Sequence, residues 1–207
     1  MTQRTGRRRT ADAYYRIAKA SGYRSRSSYK LSQLSKRYRI LRAGDIIVDL
    51  GAAPGGWLQL AAELVGDSGF VVGVDLDPII PLRLGNVRTI QGDLTSPSVV
   101  KRISESLPRR ADVLLSDASP HVSGNWSLDQ ARQLFLADKS LEACRELLRL
   151  GGNAVLKAFQ GSDYQQLLSK VRSAFRSVEV AKPSASRGGS AEIYLICRGF
   201  LGGESLI

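Results

Sequence analysis

The sequence predicts an α/β fold, a mostly parallel seven-stranded sheet packed between helices and finished by an antiparallel hairpin. Three observations predict it. From about residue 46 onward, short apolar runs alternate with segments of helical periodicity, the order that builds a parallel sheet with helices on both faces. The string DLGAAPGG, residues 49–56, turns the first apolar run directly into a helix. The last two runs are joined by PSASRGGS, which has no room for a crossover helix, so that pair should be antiparallel.

Taken in order, residues 1–26 read as a basic N-terminal arm, with a short helix through Tyr14, Tyr15 and Ile17. Residues 27–207 read as a single domain. Ser27 or Ser28 can cap a helix that puts Leu31, Leu34, Tyr38 and Leu41 on one face, and Gly44 ends it. Ile46–Leu50 is an uninterrupted apolar run apart from Asp49, the pattern of a strand buried on both faces. A helix carries Trp57, Leu60, Ala61 and Leu64. Strands follow at Phe70–Leu76, Val87–Gln91 and Ala111–Ser116, with a helix at Ser98–Leu107 and a turn-rich loop at 119–127. Leu134, Ala137, Leu141, Cys144 and Leu148 step by three and four, which marks a long helix that Gly151 and Gly152 end. Asn153–Phe159, a helix at Tyr164–Phe175, Ser177–Ala181 and Glu192–Cys197 complete the chain. A parallel sheet with such a terminal hairpin resembles the Rossmann-like methyltransferase arrangement.

Charge is unevenly distributed. Residues 1–42 hold thirteen Lys/Arg and one acid, a net +12, whereas residues 43–207 carry −1. A basic segment on a near-neutral body suits polyphosphate binding by counterion release; a solvated tail or an Arg-rich transit peptide has the same composition. Tyr14, Tyr15, Tyr23 and Tyr29 interleave with the basic residues, a mixture suited to gripping RNA, although helix packing explains Tyr29 as well. No apolar run approaches the ~18 residues of a membrane span, and no secretory signal is legible. Cys144 and Cys197 have no zinc-ligand spacing, so no metal and no disulfide framework is expected. The expectation is a cytoplasmic monomer.

Glycines in the strand–helix turn let the backbone approach a ligand, and the helix start offers free N–H groups. The turn departs from the GxGxxG that cradles a pyrophosphate. Asp75 ends the second strand, where an acid commonly binds ribose hydroxyls, and Asp93 ends the third, where it could accept from an adenine amine. Singly, each acid also reads as a turn residue. Together they suit a nucleoside with an amino-acid tail, S-adenosylmethionine, better than a dinucleotide.

Ligands of a parallel sheet bind at the carboxyl ends of its strands. Asp117 lies just past the fourth strand, Lys157 near the end of the fifth, and Glu192 at the start of the reversed last strand. Lys30, on the helix before the sheet, could reach the same rim. Lys157 interrupts an apolar strand, and lysine is rarely buried without a partner; snorkelling to water is the other reading. His121 and Trp126 follow Asp117 in the loop. His121 reads as a base or a loop residue, and Trp126 as a platform for a flipped nucleotide or an anchor for the loop.

DLGAAPGGW, SDASP, LKAFQG and SAEIYLICRGF together resemble the FtsJ-type ribose 2′-O-methyltransferase family, from about Tyr23 to Gly199. That resemblance implies a catalytic tetrad of Lys30, Asp117, Lys157 and Glu192. It implies S-adenosylmethionine contacts at Gly55, Trp57, Asp75, Asp93 and Asp117. It also implies a uridine ribose of large-subunit ribosomal RNA as substrate, with tRNA riboses the targets of close relatives. The loop ASPHVSGNW differs from the bacterial MAPNMSG type, and SRGGSAEIY replaces a more basic run, which bears on the choice of RNA. Other readings are a non-catalytic RNA-binding assembly factor, marked by cofactor binding without turnover, and a nicotinamide oxidoreductase, marked by a preference for NAD.

Overall fold

The computed structural model describes residues 14–186 and 189–202. Helix α1 covers residues 14–20. It is followed by α2 (Ser27–Tyr38), β1 (Ile46–Leu50), α3 (Gly56–Val65), β2 (Phe70–Asp75), β3 (Val87–Gln91), α4 (Pro97–Ser106) and β4 (Ala111–Ser116). Then come α5 (Trp126–Leu147), β5 (Leu148–Phe159), α6 (Tyr164–Ala174), β6 (Phe175–Ala181) and β7 (Glu192–Phe200). The strands form one seven-stranded sheet in the order β3-β2-β1-β4-β5-β7-β6. The pairs from β3 to β5 are parallel, and β7 runs antiparallel to both β5 and β6.

Period-two alternation divides the strand side chains between two cores. Val48, Leu50, Leu114, Leu156 and Leu195 face one side and pack with Ile103 of α4, Leu141 and Cys144 of α5 and Val171 of α6. Ile47, Leu115, Val155, Tyr194 and Ile196 face the other and pack with Leu31 and Leu34 of α2 and Trp57 and Leu58 of α3. Lys157 is two residues from Val155, and its register partner is Tyr194. Lys157 therefore projects onto the face that α2 covers, beneath Lys30.

Several element ends differ from the sequence expectation. Helix α2 stops at Tyr38, where Arg39 adopts a left-handed φ of 50° and donates its N–H to Ser35 O; Gly44 serves instead in the turn into β1. Helix α5 begins at Trp126, inside the expected loop, because Asn125 Oδ1 accepts the Leu128 N–H and caps it. Its C-terminus needs no glycine. Leu148 is extended at once, and β5 starts there rather than at Asn153. Gly151 and Gly152 instead lie in an irregularity of the β4–β5 ladder, between the pairs Ala111–Leu148 and Val113–Asn153.

Of the segment read as a basic arm, residues 1–13 lie outside the described residues. The remainder packs on the fold. Ala18 is buried, the Tyr23 hydroxyl donates to Glu63 at 2.6 Å, and Gln59 Nε2 donates to Gly22 O at 3.2 Å. The Arg24 guanidinium donates to the carbonyls of Pro54, Ile80 and Pro81. Among the described residues no helix is long and apolar enough to cross a membrane.

Candidate active site

Lys30, Asp117, Lys157 and Glu192, drawn from α2, the end of β4, β5 and the start of β7, meet in one buried network. Lys157 Nζ lies 3.0 Å from Asp117 Oδ1 and 3.4 Å from Glu192 Oε2, and it donates to the Asp117 carbonyl at 3.1 Å. Lys30 Nζ lies 2.7 Å from Glu192 Oε1 and 2.8 Å from its Oε2. Lys30, Lys157 and Glu192 are 7, 6 and 7 % exposed. Two cations and two carboxylates at this burial are mutually neutralised, the condition under which charges are tolerated in a core.

The protonation states follow from the packing. Burial by itself would lower the Lys157 pKa, but the carboxylates of Asp117 and Glu192 outweigh it and raise the pKa above the ordinary value. Burial by itself would raise Glu192. The ammonium groups of Lys157 and Lys30, with hydrogen bonds from Lys30 and Ser186, bring it instead from 4.5 to about 2. Both shifts favour the charged forms, the Lys157 ammonium and the Glu192 carboxylate.

A cleft of about 440 Å³ adjoins the network at the carboxyl ends of β1, β2 and β4. Asp75, Asp93 and Asp117 all line it, together with Gly51, His121 and Arg132. Asp75 Oδ2 accepts the Ala53 N–H at 2.8 Å and its Oδ1 the Asp77 N–H at 3.0 Å, so this carboxylate also shapes the glycine turn. Asp93 Oδ1 accepts from both Thr95 N and Thr95 Oγ1. Asp117 belongs to cleft and network at once.

Gly55 and Trp57 sit apart from the cleft wall. Gly55 has φ 108° and precedes α3, with the Arg24 side chain against it. The Trp57 ring is buried, donates Nε1–H to Ser27 O at 2.8 Å and packs 5.8 Å from the Tyr194 ring. What these two residues can offer a ligand is backbone: the first N–H groups of α3 have no acceptor within the helix. His121 is exposed. Trp126 is half-exposed and stacks on Phe159, with centroids 6.0 Å apart and planes at 12°.

A family profile described as FtsJ-like methyltransferase matches residues 23–200. The chain belongs to the FtsJ-like methyltransferase family. It is 48% identical over 194 residues to the Ribosomal RNA large subunit methyltransferase E of Methanococcus aeolicus, covering 94% of this chain and 72% of that one. The protein of the same name from Methanosarcina barkeri is 49% identical over 191 residues, covering 92% and 71%. A crystal structure from Plasmodium falciparum, described as a ribosomal RNA methyltransferase, superposes with a TM-score of 0.77 at 30% identity, covering 87% of this chain and 100% of that one.

Around the site of this FtsJ-like methyltransferase lie further residues that sequence reasoning did not single out. The Tyr194 hydroxyl donates to Asp117 Oδ1 at 2.7 Å and accepts from Lys30 Nζ at 3.1 Å, which closes the network into a ring. Ser186 Oγ donates to Glu192 Oε1 at 2.8 Å. Gln133 Nε2 bridges the carbonyls of Ala118 and Lys157 at 3.1 and 3.3 Å and so ties α5 to both strand ends. Asp49 is fully buried with neither carboxylate oxygen hydrogen-bonded. Burial first, then the nearby charges of Asp117 and Asp75, raises its pKa well above the ordinary value. An acid inside an otherwise apolar strand was its signal in the sequence.

Proposed function

We infer that this family member transfers a methyl group from S-adenosylmethionine to a ribose 2′-hydroxyl of large-subunit ribosomal RNA, at a uridine. One observation carries the reading: a charge-neutral ring of Lys30, Glu192, Lys157, Asp117 and Tyr194 opens, through Asp117, into a cleft whose other acids are Asp75 and Asp93. The names of the relatives support the choice of RNA.

The residues fit the cofactor. The cleft is lined by Asp75, Asp77, Asp93 and Asp117 against one cation, Arg132, a balance that favours a cationic nucleoside and disfavours a polyphosphate. The size lies within the range of small-molecule pockets. S-adenosylmethionine supplies, when bound, a methyl group on a positively charged sulfur open to displacement by oxygen. Asp75 would hold the ribose of that nucleoside, Asp93 the adenine amine, and the backbone at Gly55 and Trp57 the carboxylate tail.

The remaining work is positioning. Lys157 is held charged by its two carboxylates, so it donates to the substrate oxygen and orients it rather than acting as a waiting base. Asp117 fixes the Lys157 ammonium, and Glu192 fixes Lys30 toward the substrate ribose. The hydroxyl proton is lost late, to water.

The test is transfer of labelled methyl from S-adenosylmethionine to large ribosomal subunits and to bulk tRNA, with Lys157→Ala alongside and the product mapped by resistance to alkaline cleavage. A ribosomal ribose labelled by the wild type, with the rate reduced at least ~100-fold in the variant, is expected. Label in tRNA alone moves the substrate. Cofactor binding without label in either RNA sinks the enzymatic reading of this site.

A further inference from the structure

We propose that Trp126, braced on Phe159, is a stacking platform for the base of the nucleotide whose ribose is methylated. The proposal rests on the ribose-methyltransferase reading above and adds a second contact to it.

Strand register sets Phe159 beside Lys157 at the rim of the sheet. Phe159 and Lys157 are two residues apart on β5, so their side chains share a face, and their Cα atoms stand roughly 6.6 Å apart. Phe159 pairs directly with Glu192, as Lys157 does with Tyr194. The aromatic ring is thus the next position outward from the lysine–carboxylate network on the same surface. Trp126 lies over that ring with the planes nearly parallel, and it remains 52% exposed. Phe159 packs against the indole, and about half of the Trp126 surface stays open to solvent. A ribose at Lys157 then has its base beside the Phe159–Trp126 stack, next to the exposed part of the indole.

The platform is rigid before any ligand arrives. Trp126 is the first residue of α5, whose Asn125 cap fixes the helix start. The buried Asp129 carboxylate accepts Ser123 N at 2.8 Å, Ser123 Oγ at 2.7 Å and Gly124 N at 3.2 Å, which locks the loop leading into it. A ring needed only to anchor the loop would bury itself, since half-exposed tryptophan forfeits much of its burial energy. The loop is anchored by Asp129 instead. An aromatic face recognises any base by stacking and is blind to its hydrogen-bonding edge.

The experiment compares wild type, Trp126→Ala and Trp126→Phe in methyl transfer to large ribosomal subunits, with cofactor affinity from equilibrium dialysis and the thermal midpoint as controls. Trp126→Ala should lower kcat/KM for RNA by about 10- to 100-fold, the loss expected for one stacked base, with cofactor affinity and midpoint unchanged. Trp126→Phe should retain most of the activity. Unaltered kcat/KM in Trp126→Ala overturns the proposal, and so does an equal loss in both variants. If wild type methylates no ribosomal RNA, the functional reading fails, and the platform is judged by fluorescence. Oligouridylate should then quench wild type more than Trp126→Phe, whereas an abasic oligomer should quench neither; equal response to both oligomers overturns it.

Discussion

A lysine on a buried strand is costly unless a counter-charge meets it, and Lys157 meets two. The same carboxylates that make its burial tolerable set its protonation. Glu192 carries the clearer pH signature, because its folded value of about 2 lies below the ordinary 4.5. A depressed acid contributes stability that is full above its unfolded value and is lost as pH falls through the folded one. Lys157 has the opposite sign: its contribution is full below the ordinary 10.5 and is lost as pH rises through its raised value. The thermal midpoint should therefore fall between pH 4.5 and 2 by an amount that Glu192→Gln removes, while the variant is already less stable at neutral pH. Circular dichroism melts of both proteins across that window check this, and parallel pH profiles would refute it. At this scale the sequence displayed Lys157 and Glu192 but hid Tyr194. A tyrosine in an apolar strand has the same appearance whether its hydroxyl is idle or, as here, bonded to Asp117 and Lys30.

The element that matters most is the turn from β1 into α3. Gly51 has φ 76°, and a Cβ there would come within 2.4 Å of Ala118 Cα and 2.6 Å of Ala118 N. The glycine turn and the SDAS segment after β4 are packed backbone to backbone, and the cleft lies at that junction. Gly51→Ala should cost about 2 kcal/mol or more, from left-handed strain and overpacking, and should weaken cofactor binding by separating Asp117 from Asp75. Gly85→Ala, where an added Cβ meets nothing within 4 Å, is the control and should bind like wild type. Denaturant unfolding and equilibrium dialysis decide between them. Hydrophobic periodicity located the helices, yet it missed the first two turns of α5. Those turns are set by the Asn125 cap and the Asp129 contacts to Ser123 and Gly124, which are interactions of polar side chains and leave no apolar pattern.

For the whole molecule, charge partition is the feature to test. Residues 1–13 hold four arginines and one aspartate, while residues 14–26 are fastened to α3 and the glycine turn through Tyr23, Arg24 and Gly22. Deleting residues 1–13 should spare the fold and cofactor affinity. It should weaken RNA binding and reduce the slope of log affinity against log salt by about 3, for arginines that each neutralise a phosphate. Filter binding across a salt series measures it, and an unchanged slope would mean that these arginines do not meet RNA. A deletion carried to residue 26 would instead remove the contacts that brace the turn, and cofactor affinity would fall with RNA affinity.

The sequence by itself determined the α/β class, the order of strands and helices, the antiparallel end and the strand-end positions of Asp75, Asp93, Asp117 and Lys157, because these depend on periodicity and turn chemistry within short windows. Only the tertiary structure decided which groups touch. Lys30 meets Glu192 across 162 residues and Tyr194 meets Asp117 across 77. Alternation along β5 says that Lys157 and Val155 share a face, but not which helix covers that face. The covering is settled by the packing of α2 and α3 against the sheet through Leu31, Leu34, Trp57 and Leu58. Burial there also turns four ordinary side chains into a neutral, ordered network.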